Sequence, residues 1–594
     1  MSGFVVMLRH DGGAVTRDSL DRVIAPLLAR GPDDTAVWLS PSLGVASTLL
    51  DTGDARLRPR TAHAGAHVVT GQVRLDGRSD LVSRLRAAAR HVSDEDADIA
   101  LFAQAWDAWG AGAFDRIIGD FSVVVVNQAT RACTLARDPF GVRMLFYSAT
   151  PDRLVASNTL AAVRAAEGVS DALDEDALAD FMAVGLNENL AGTTFRDIRR
   201  VPPGSFIQFI PGRPSGTTRY WRLPELGVAP SGGDYAERFR AVLEDSVRDR
   251  CRGGPVTVSM SGGLDSTSLA VLARRVLPAS ASVTALTIDL PTIAPSPDAA
   301  RARIVAQRSG LLHVEFDGDQ YGYREGTNDE LFHTPEPSDE PDILIWRAFL
   351  LEAAASSRVM LYGEDPDALL TPPDLHEQFR ARSAWRVGWS ILGYLLHERS
   401  RPHLGLRDSV RRVAAGHRTL LPADAGPPWL RADLRARRAE RLAERAAVTH
   451  ATRGEMARRL AHPLWQATLE SLDAGQHGVP VDVRLPFLDV RVVESALAAP
   501  AIPWLQRKRL LREAMRGLLP EAVRTAPKRG LPGLYEGRVR QWWSRHPQPF
   551  VPSEQLASLL HRSAIPVVTP ASDALDVLAH LRLRILDRWL RTLS

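Results

Sequence analysis

The sequence predicts two domains of different class: an α+β domain rich in strands, then an α/β domain on a parallel, doubly wound sheet. Three observations carry this. A chain of 594 residues exceeds what one hydrophobic core usually organises. Residues 1–210 read mainly as strands, and a stretch rich in Pro, Gly and Ser follows from Pro211 to Gly233. Beyond it, short apolar runs alternate with helical patterns, the signature of parallel βαβ units. The expected boundaries are therefore 1–210, a linker at 211–233, and 234–594.

In the first domain, Phe121–Val126 and Leu145–Ser148 are β-branched or aromatic runs, whereas Asp98–Trp109 has helical spacing. In the second, strands are expected at Pro255–Met260, Ser282–Leu290, His313–Phe316 and Arg358–Tyr362. Helices are expected between them at Thr267–Val276, Asp298–Ser309 and Leu344–Ala355. In such a sheet the ligand lies at the carboxyl ends of the strands. Beyond Asp374 the pattern reads as almost wholly helical. It includes the Arg-rich stretch Arg431–Arg445, expected as a solvated helix face, and an amphipathic tail from Leu575 to Leu593. Trp385, Trp389 and Tyr394 fall on a helical stretch and are expected in the core.

Composition narrows the function classes. A net charge of +3 gives no reason to expect nucleic acid as a partner. The apolar start of the chain is broken at Arg9-His10-Asp11, too early for a signal-peptide core, and no run is long enough to span a bilayer. Cys133 and Cys251 stand far apart, which excludes a disulfide framework. A cytoplasmic protein with no membrane partner is the expectation. The histidines show no zinc-like spacing; His397 and His403 are separated by Pro402.

The motif that carries chemistry is Ser261-Gly262-Gly263-Leu264-Asp265-Ser266, between a buried strand and a helix. Two glycines let the backbone approach a polyanion, and backbone N–H groups with the helix N-terminus then face phosphates. The serines add hydroxyl donors, and Asp265 offers an oxygen ligand to Mg²⁺ on the same phosphates. A Walker A loop would end in GK[ST], and this one does not.

With this hexapeptide the chain resembles the asparagine synthetase family, whose synthetase domain carries SGGLDS as its pyrophosphate loop. Further segments agree in order. Gly363-Glu364-Asp365-Pro366-Asp367 stands where that family has a G-E-G-S-D-like loop, with Asp365-Pro366 as the departure. Asp482–Asp489 is similar to its VRxPFLD segment, read here as structural, with a capping Asp before the next helix. Pro527-Lys528-Arg529-Gly530 has the spacing of a lysine loop. The resemblance implies ATP and Mg²⁺, with Asp265 and Asp367 as metal ligands. On the same resemblance, Lys528 is expected to neutralise charge on the α-phosphate, and Glu364 to position or deprotonate the amine. Ser261–Ser266, Ile288 and Gly363 form the nucleotide site. It also implies an Ntn-hydrolase-like sandwich followed by a PP-loop ATP pyrophosphatase domain.

The first domain departs from that family at its chemistry. The nucleophilic cysteine is replaced by Ser2, whose hydroxyl needs far stronger activation than a thiol. Thr70-Gly71-Gln72 replaces an N-G-E segment, and Val45–Leu49 lacks the expected arginine, while Arg30-Gly31-Pro32-Asp33 and Ala136–Val142 keep the scaffold. The expectation is a retained fold without glutaminase activity, so that the attacking amine belongs to the substrate. Chain length past Lys528 then favours a lasso-peptide macrolactam cyclase. That implies a leader-cleaved precursor peptide as substrate, with a leader-binding protein and a leader peptidase as partners. The rivals are a β-lactam synthetase-like small-molecule cyclase, an asparagine synthetase-like amide ligase, and a regulatory relative that binds nucleotide without turnover.

Overall fold

The computed structural model describes residues 2–593 except 225–233, 292–295, 322–333, 341–342, 365, 373–386, 390, 393, 395–424, 452–454, 528–549, 566 and 570–571. Two six-stranded sheets form the first domain. One runs in the order Arg199–Arg200, Phe146–Ala149, Arg153–Ser157, Gly3–Arg9, Leu43–Leu49, Asp34–Ser40. The other runs Gly216–Arg219, Ser205–Phe209, Cys133–Arg137, Ile118–Asn127, His67–Asp76, Thr61–Ala64. All their pairings are antiparallel. Alternate residues of the facing strands, among them Phe4, Val6, Val68, Val124 and Leu135, fill the space between the sheets. The helix Asp98–Trp109 covers the outer face, where Phe102 packs on Phe121.

The second domain is a five-stranded parallel sheet. Its order is Leu312–Asp317, Val283–Asp289, Val256–Ser259, Val359–Leu361, Asp482–Arg484. The order reverses between Val256–Ser259 and Val359–Leu361, which makes their carboxyl ends the switch point where an open α/β sheet binds its ligand. Three of the expected strands are present with trimmed ends, the one expected at His313–Phe316 runs a residue longer at each end, and the helix Asp298–Ser309 has its expected bounds.

Several expectations need correction. The helix after the first strand spans Leu264–Val276, so it starts inside the hexapeptide rather than at Thr267. The region beyond Asp374 contributes a fifth strand, Asp482–Arg484, which parallel pairing with Val359–Leu361 stabilises despite its three residues. The first half of the expected linker is structured. Gly216–Arg219 pairs with Ser205–Phe209, and the Tyr220 hydroxyl donates to the Arg137 carbonyl at 2.7 Å. Trp389 is 68% exposed and so is not core, whereas Tyr394 is buried; Trp385, His397 and His403 lie outside the described residues.

The Arg-rich helix is not a solvated face. Ala432–Ala451 lies against Glu175–Val184 of the first domain. Arg437 pairs with Asp176 at 2.8 Å, Arg441 with Asp180 at 2.8 Å, and Arg445 with Glu188 at 2.8 Å. Buried Arg438 reaches Asp180 and Glu188 at 3.3 and 2.5 Å. The amphipathic tail, Ala574–Arg591, packs as expected on the body, and Trp589 donates to the Thr334 carbonyl at 3.1 Å. No helix among the described residues is long and apolar enough to cross a membrane.

Candidate active site

The loop Ser261–Ser266 leaves the strand Val256–Ser259 at the switch point. Its shape is self-supported. Ser261 N–H donates to Ser266 Oγ at 3.0 Å, the two serine hydroxyls share a bond of 3.0 Å, and Gly263 N–H donates to Ser261 Oγ at 3.3 Å. Gly262 has φ +81°, and a Cβ there would collide with the Asp298 carbonyl. The helix start at Leu264 turns the first-turn amides of Leu264, Asp265 and Ser266 toward the loop's open side, where an anion is favoured.

Gly363 closes the opposite wall. Its Cβ position lies 3.6 Å from the backbone nitrogen and Cα of Ser266, ordinary contact distance. The loop is fixed from below, because Tyr362 N–H donates to the Arg484 carbonyl of the fifth strand at 3.0 Å. Asp489 caps the helix Val490–Ala498 by accepting from Arg491 N–H, as expected for the segment ending there.

Asp265 and Asp367 are brought together across the loops. Both carboxylates pair with one ammonium, that of Lys508, with Asp367 Oδ1 at 2.7 Å. Oxygen donors that already converge on one cation suit Mg²⁺, whose remaining ligands would be phosphate oxygens and water. Among the described residues no group of three or more His, Cys, Asp or Glu could hold a metal.

Lys508 was missed by sequence reasoning. It and Arg507 have φ of 55° and 49°, the left-handed region that non-glycine residues rarely adopt. The strain is local to the site, and it turns the ammonium onto both carboxylates. Four residues on, Arg512 donates to the carbonyls of Arg524 and Ala526, the latter at 2.9 Å. It thereby anchors the segment leading to Lys528, which itself lies outside the described residues.

Glu364 lines a cavity of about 300 Å³ together with Ile288, Leu290, Trp346, Tyr362 and Glu340. Burial, then the neighbouring Glu364 and Glu340, raises the Tyr362 hydroxyl well above its ordinary value. His477 also borders it, and burial lowers its imidazole to about 3, so it is neutral near pH 7.

The cavity at Ser2 is far smaller, about 30 Å³, and is crowded by Arg60, Gln72, Arg74 and Arg143. Ser2 Oγ accepts from Leu50 N–H at 3.1 Å, and the Ser2 carbonyl accepts from Asn158 at 2.9 Å. Cys133 and Cys251 are buried, and burial pushes the Cys251 thiol up to about 12, so neither offers a thiolate.

Comparison with known proteins bears on the family. Residues 238–567 match the model of the asparagine synthase family, and residues 1–221 match that of the glutamine amidotransferase domain. The chain is 22% identical over 561 residues to asparagine synthetase [glutamine-hydrolyzing] 3 of Bacillus subtilis, covering 89% of this chain and 86% of that one. It is 24% identical over 616 residues to a putative asparagine synthetase [glutamine-hydrolyzing] of Mycobacterium bovis, covering 91% and 90%. Among solved structures, a glutamine phosphoribosylpyrophosphate amidotransferase from B. subtilis aligns over 63% of this chain and 82% of its own, with 11% identity and a TM-score of 0.27. An NH3-dependent NAD synthetase from Campylobacter jejuni aligns over 36% and 96%, with 13% identity and a TM-score of 0.20.

Proposed function

We propose, for a chain that belongs to the asparagine synthase family, that it closes an amide bond inside one substrate: the macrolactam of a leader-cleaved precursor peptide. The coarser activity is that of an ATP-dependent carbon–nitrogen ligase, AMP-forming. The finer reading is carried by one observation. Ser2 stands where the resemblance expects a cysteine, its hydroxyl engaged by Leu50 N–H, beside a cavity of about 30 Å³. A hydroxyl nucleophile without a strong base is weak, and the space is too small for an amino-acid side chain and its backbone. With no ammonia supplied, the attacking amine comes with the substrate.

The chemistry follows from charge. A carboxylate must approach the α-phosphate of ATP, and two anions repel. The loop amides and serine hydroxyls receive the pyrophosphate, while Lys508 and Lys528 supply positive charge where it leaves. Mg²⁺, when bound by Asp265 and Asp367, supplies further neutralisation of the departing pyrophosphate. The substrate amine then attacks the acyl-adenylate and AMP departs. Glu364, beside the loop and lining the larger cavity, orients that amine. A leader-binding protein and a leader peptidase belong to the same proposal as the partners that prepare the peptide.

A second reading is favoured by similarity over most of both chains to proteins named asparagine synthetases: an amide ligase acting on a small carboxylate. One experiment separates the two. The purified protein is incubated with ATP, Mg²⁺ and a leader-cleaved peptide, and product mass and nucleotides are read together. Loss of one water with AMP and pyrophosphate, abolished by Lys528→Ala, is the expected result. AMP formation without a dehydrated peptide moves the assignment to a small-molecule ligase, and ADP in place of AMP overturns the mechanism.

A further inference from the structure

One guanidinium joins the turn that carries Lys508 to the segment that leads toward Lys528. Arg512 lies half-buried on the helix Arg509–Ala514, and its planar group meets three backbone carbonyls. Its Nε–H donates to the Arg507 carbonyl at 2.8 Å, and its Nη2–H to the Ala526 carbonyl at 2.9 Å. The Arg524 carbonyl accepts from Nη1–H, and Arg524 in turn donates to the Arg512 carbonyl at 3.3 Å. Arg507 is the first of the two residues of positive φ; the second, Lys508, sets its ammonium on Asp265 and Asp367. Ala526 stands two residues before Lys528 in the chain. The donors of a guanidinium form a rigid fork, so its three acceptors are held at fixed offsets from one another. A lysine here would keep the charge, but its single nitrogen could not reach carbonyls on both sides of that fork.

We infer that Arg512 is a positioning residue for adenylation. It fixes the left-handed turn that aims the Lys508 ammonium at both carboxylates, and it ties that turn to the chain entering Lys528. This rests on the reading of the protein as an AMP-forming ligase and deepens it, since the placement of Lys508 then depends on one side chain outside the nucleotide loop. Consecutive non-glycine residues in the left-handed region persist only where their surroundings hold them. Without the fork, relaxation at Arg507 and Lys508 swings the ammonium away from Asp265 and Asp367. It then competes less well with a divalent cation for those oxygens, and its charge is misplaced for the departing pyrophosphate. Asp265 also acts on Arg512 through its charge, so a test has to separate geometry from charge.

Arg512→Lys in the full-length protein makes that separation, because it keeps the charge and loses the fork. Mn²⁺ is titrated without nucleotide, by electron paramagnetic resonance, into the wild type, Arg512→Lys, Lys508→Met and the double variant. Arg512→Lys is expected to bind Mn²⁺ about fivefold more tightly, the usual coupling between neighbours in one hydrogen-bond network. In the Lys508→Met background the same change should add nothing, since the ammonium it repositions is gone. Ala514→Gly loosens the same helix without touching the turn, and its Mn²⁺ affinity should stay within about twofold of wild type. ATP–pyrophosphate exchange at saturating ATP should fall at least about tenfold in Arg512→Lys, while half-saturating MgATP moves less than about threefold. Unchanged Mn²⁺ affinity in Arg512→Lys overturns the proposal, as does equal tightening with and without Lys508. Equal tightening in Ala514→Gly also overturns it, because Arg512 would then only hold the helix. The Mn²⁺ titration needs neither substrate nor turnover. Tighter Mn²⁺ with no dehydrated peptide would therefore keep the positioning role and remove the macrolactam reading.

Discussion

Lys508 shows what a single side chain does at this site. Its ammonium contacts both carboxylates expected to hold Mg²⁺, and it is held there by two consecutive residues of positive φ. Before the metal–nucleotide complex arrives, it is a counter-ion shared by Asp265 and Asp367 that offsets their repulsion. Ammonium and divalent cation therefore compete for the same oxygens, and Lys508→Met is expected to bind Mn²⁺ more tightly without nucleotide, read by electron paramagnetic resonance. The same variant should lose adenylation, measured as ATP–pyrophosphate exchange, by about 100-fold, as when one preorganised charge partner is removed. Unchanged Mn²⁺ affinity would reduce Lys508 to a structural role. The sequence made Asp265 legible because a loop of contiguous residues carries its own geometry. Lys508 was not legible, because both its partners are remote in sequence, Asp265 by 243 residues, and basic residues flank it on both sides. Only the left-handed backbone distinguishes it, and no local pattern encodes that.

At the scale of elements, most strands and helices of the α/β domain could be read because each alternates its apolar period with its neighbours. The readings that failed depended on a partner remote in sequence. A three-residue strand, Asp482–Arg484, is stable only because Val359–Leu361 offers it an edge. The helix start moved to Leu264 because the Gly263 carbonyl finds a donor in Thr267 N–H at 3.2 Å. The arginines of Ala432–Ala451 looked solvated because their acidic counterpart, Glu175–Val184, is some 260 residues earlier, as with Arg437 and Asp176 at a separation of 261. Exposure decides what each of those pairs contributes. Arg438 has 4% side-chain exposure and faces Asp180 and Glu188, whereas Arg437 is 43% exposed. Arg438→Met removes the buried partner of Asp180 and Glu188, which keep only the partly exposed Arg441 and Arg445, and is expected to destabilise by about 2 kcal/mol. Arg437→Met should cost under about 1 kcal/mol. Thermal midpoints of the two variants check this, and equal losses would mean that the helix contact is held by its apolar residues instead.

For the whole molecule, the question is whether two domains of different class behave as one body. The apolar cluster says that they do, since it runs without a break from Val5 and Leu20 of the first domain through Val258 and Phe349 to Trp589 and Leu590. Buried ion pairs cross the same boundary. Arg30 Nη2 bonds Asp473 Oδ2 at 3.0 Å, and Arg143 bonds Asp482 at 2.9 Å. Arg250 sits at the centre, with Asp76 at 3.2 Å and Asp120 at 3.4 Å in the first domain and Asp489 at 2.9 Å in the second. With 1% side-chain exposure, its removal would leave three carboxylates facing one another out of water. The attraction within this cluster offsets a large desolvation term only while every member is present. Calorimetry of the wild-type chain is therefore expected to give one cooperative transition. Arg250→Met should lower its midpoint more than Arg438→Met does, because it breaks contacts to both domains at once, and it should still give a single transition, because the shared apolar cluster remains. Two separate transitions in the wild-type chain would mean that the domains fold independently. The retained glutaminase-like sandwich would then be a passenger on the ligase, with no part in holding up the ligase sheet.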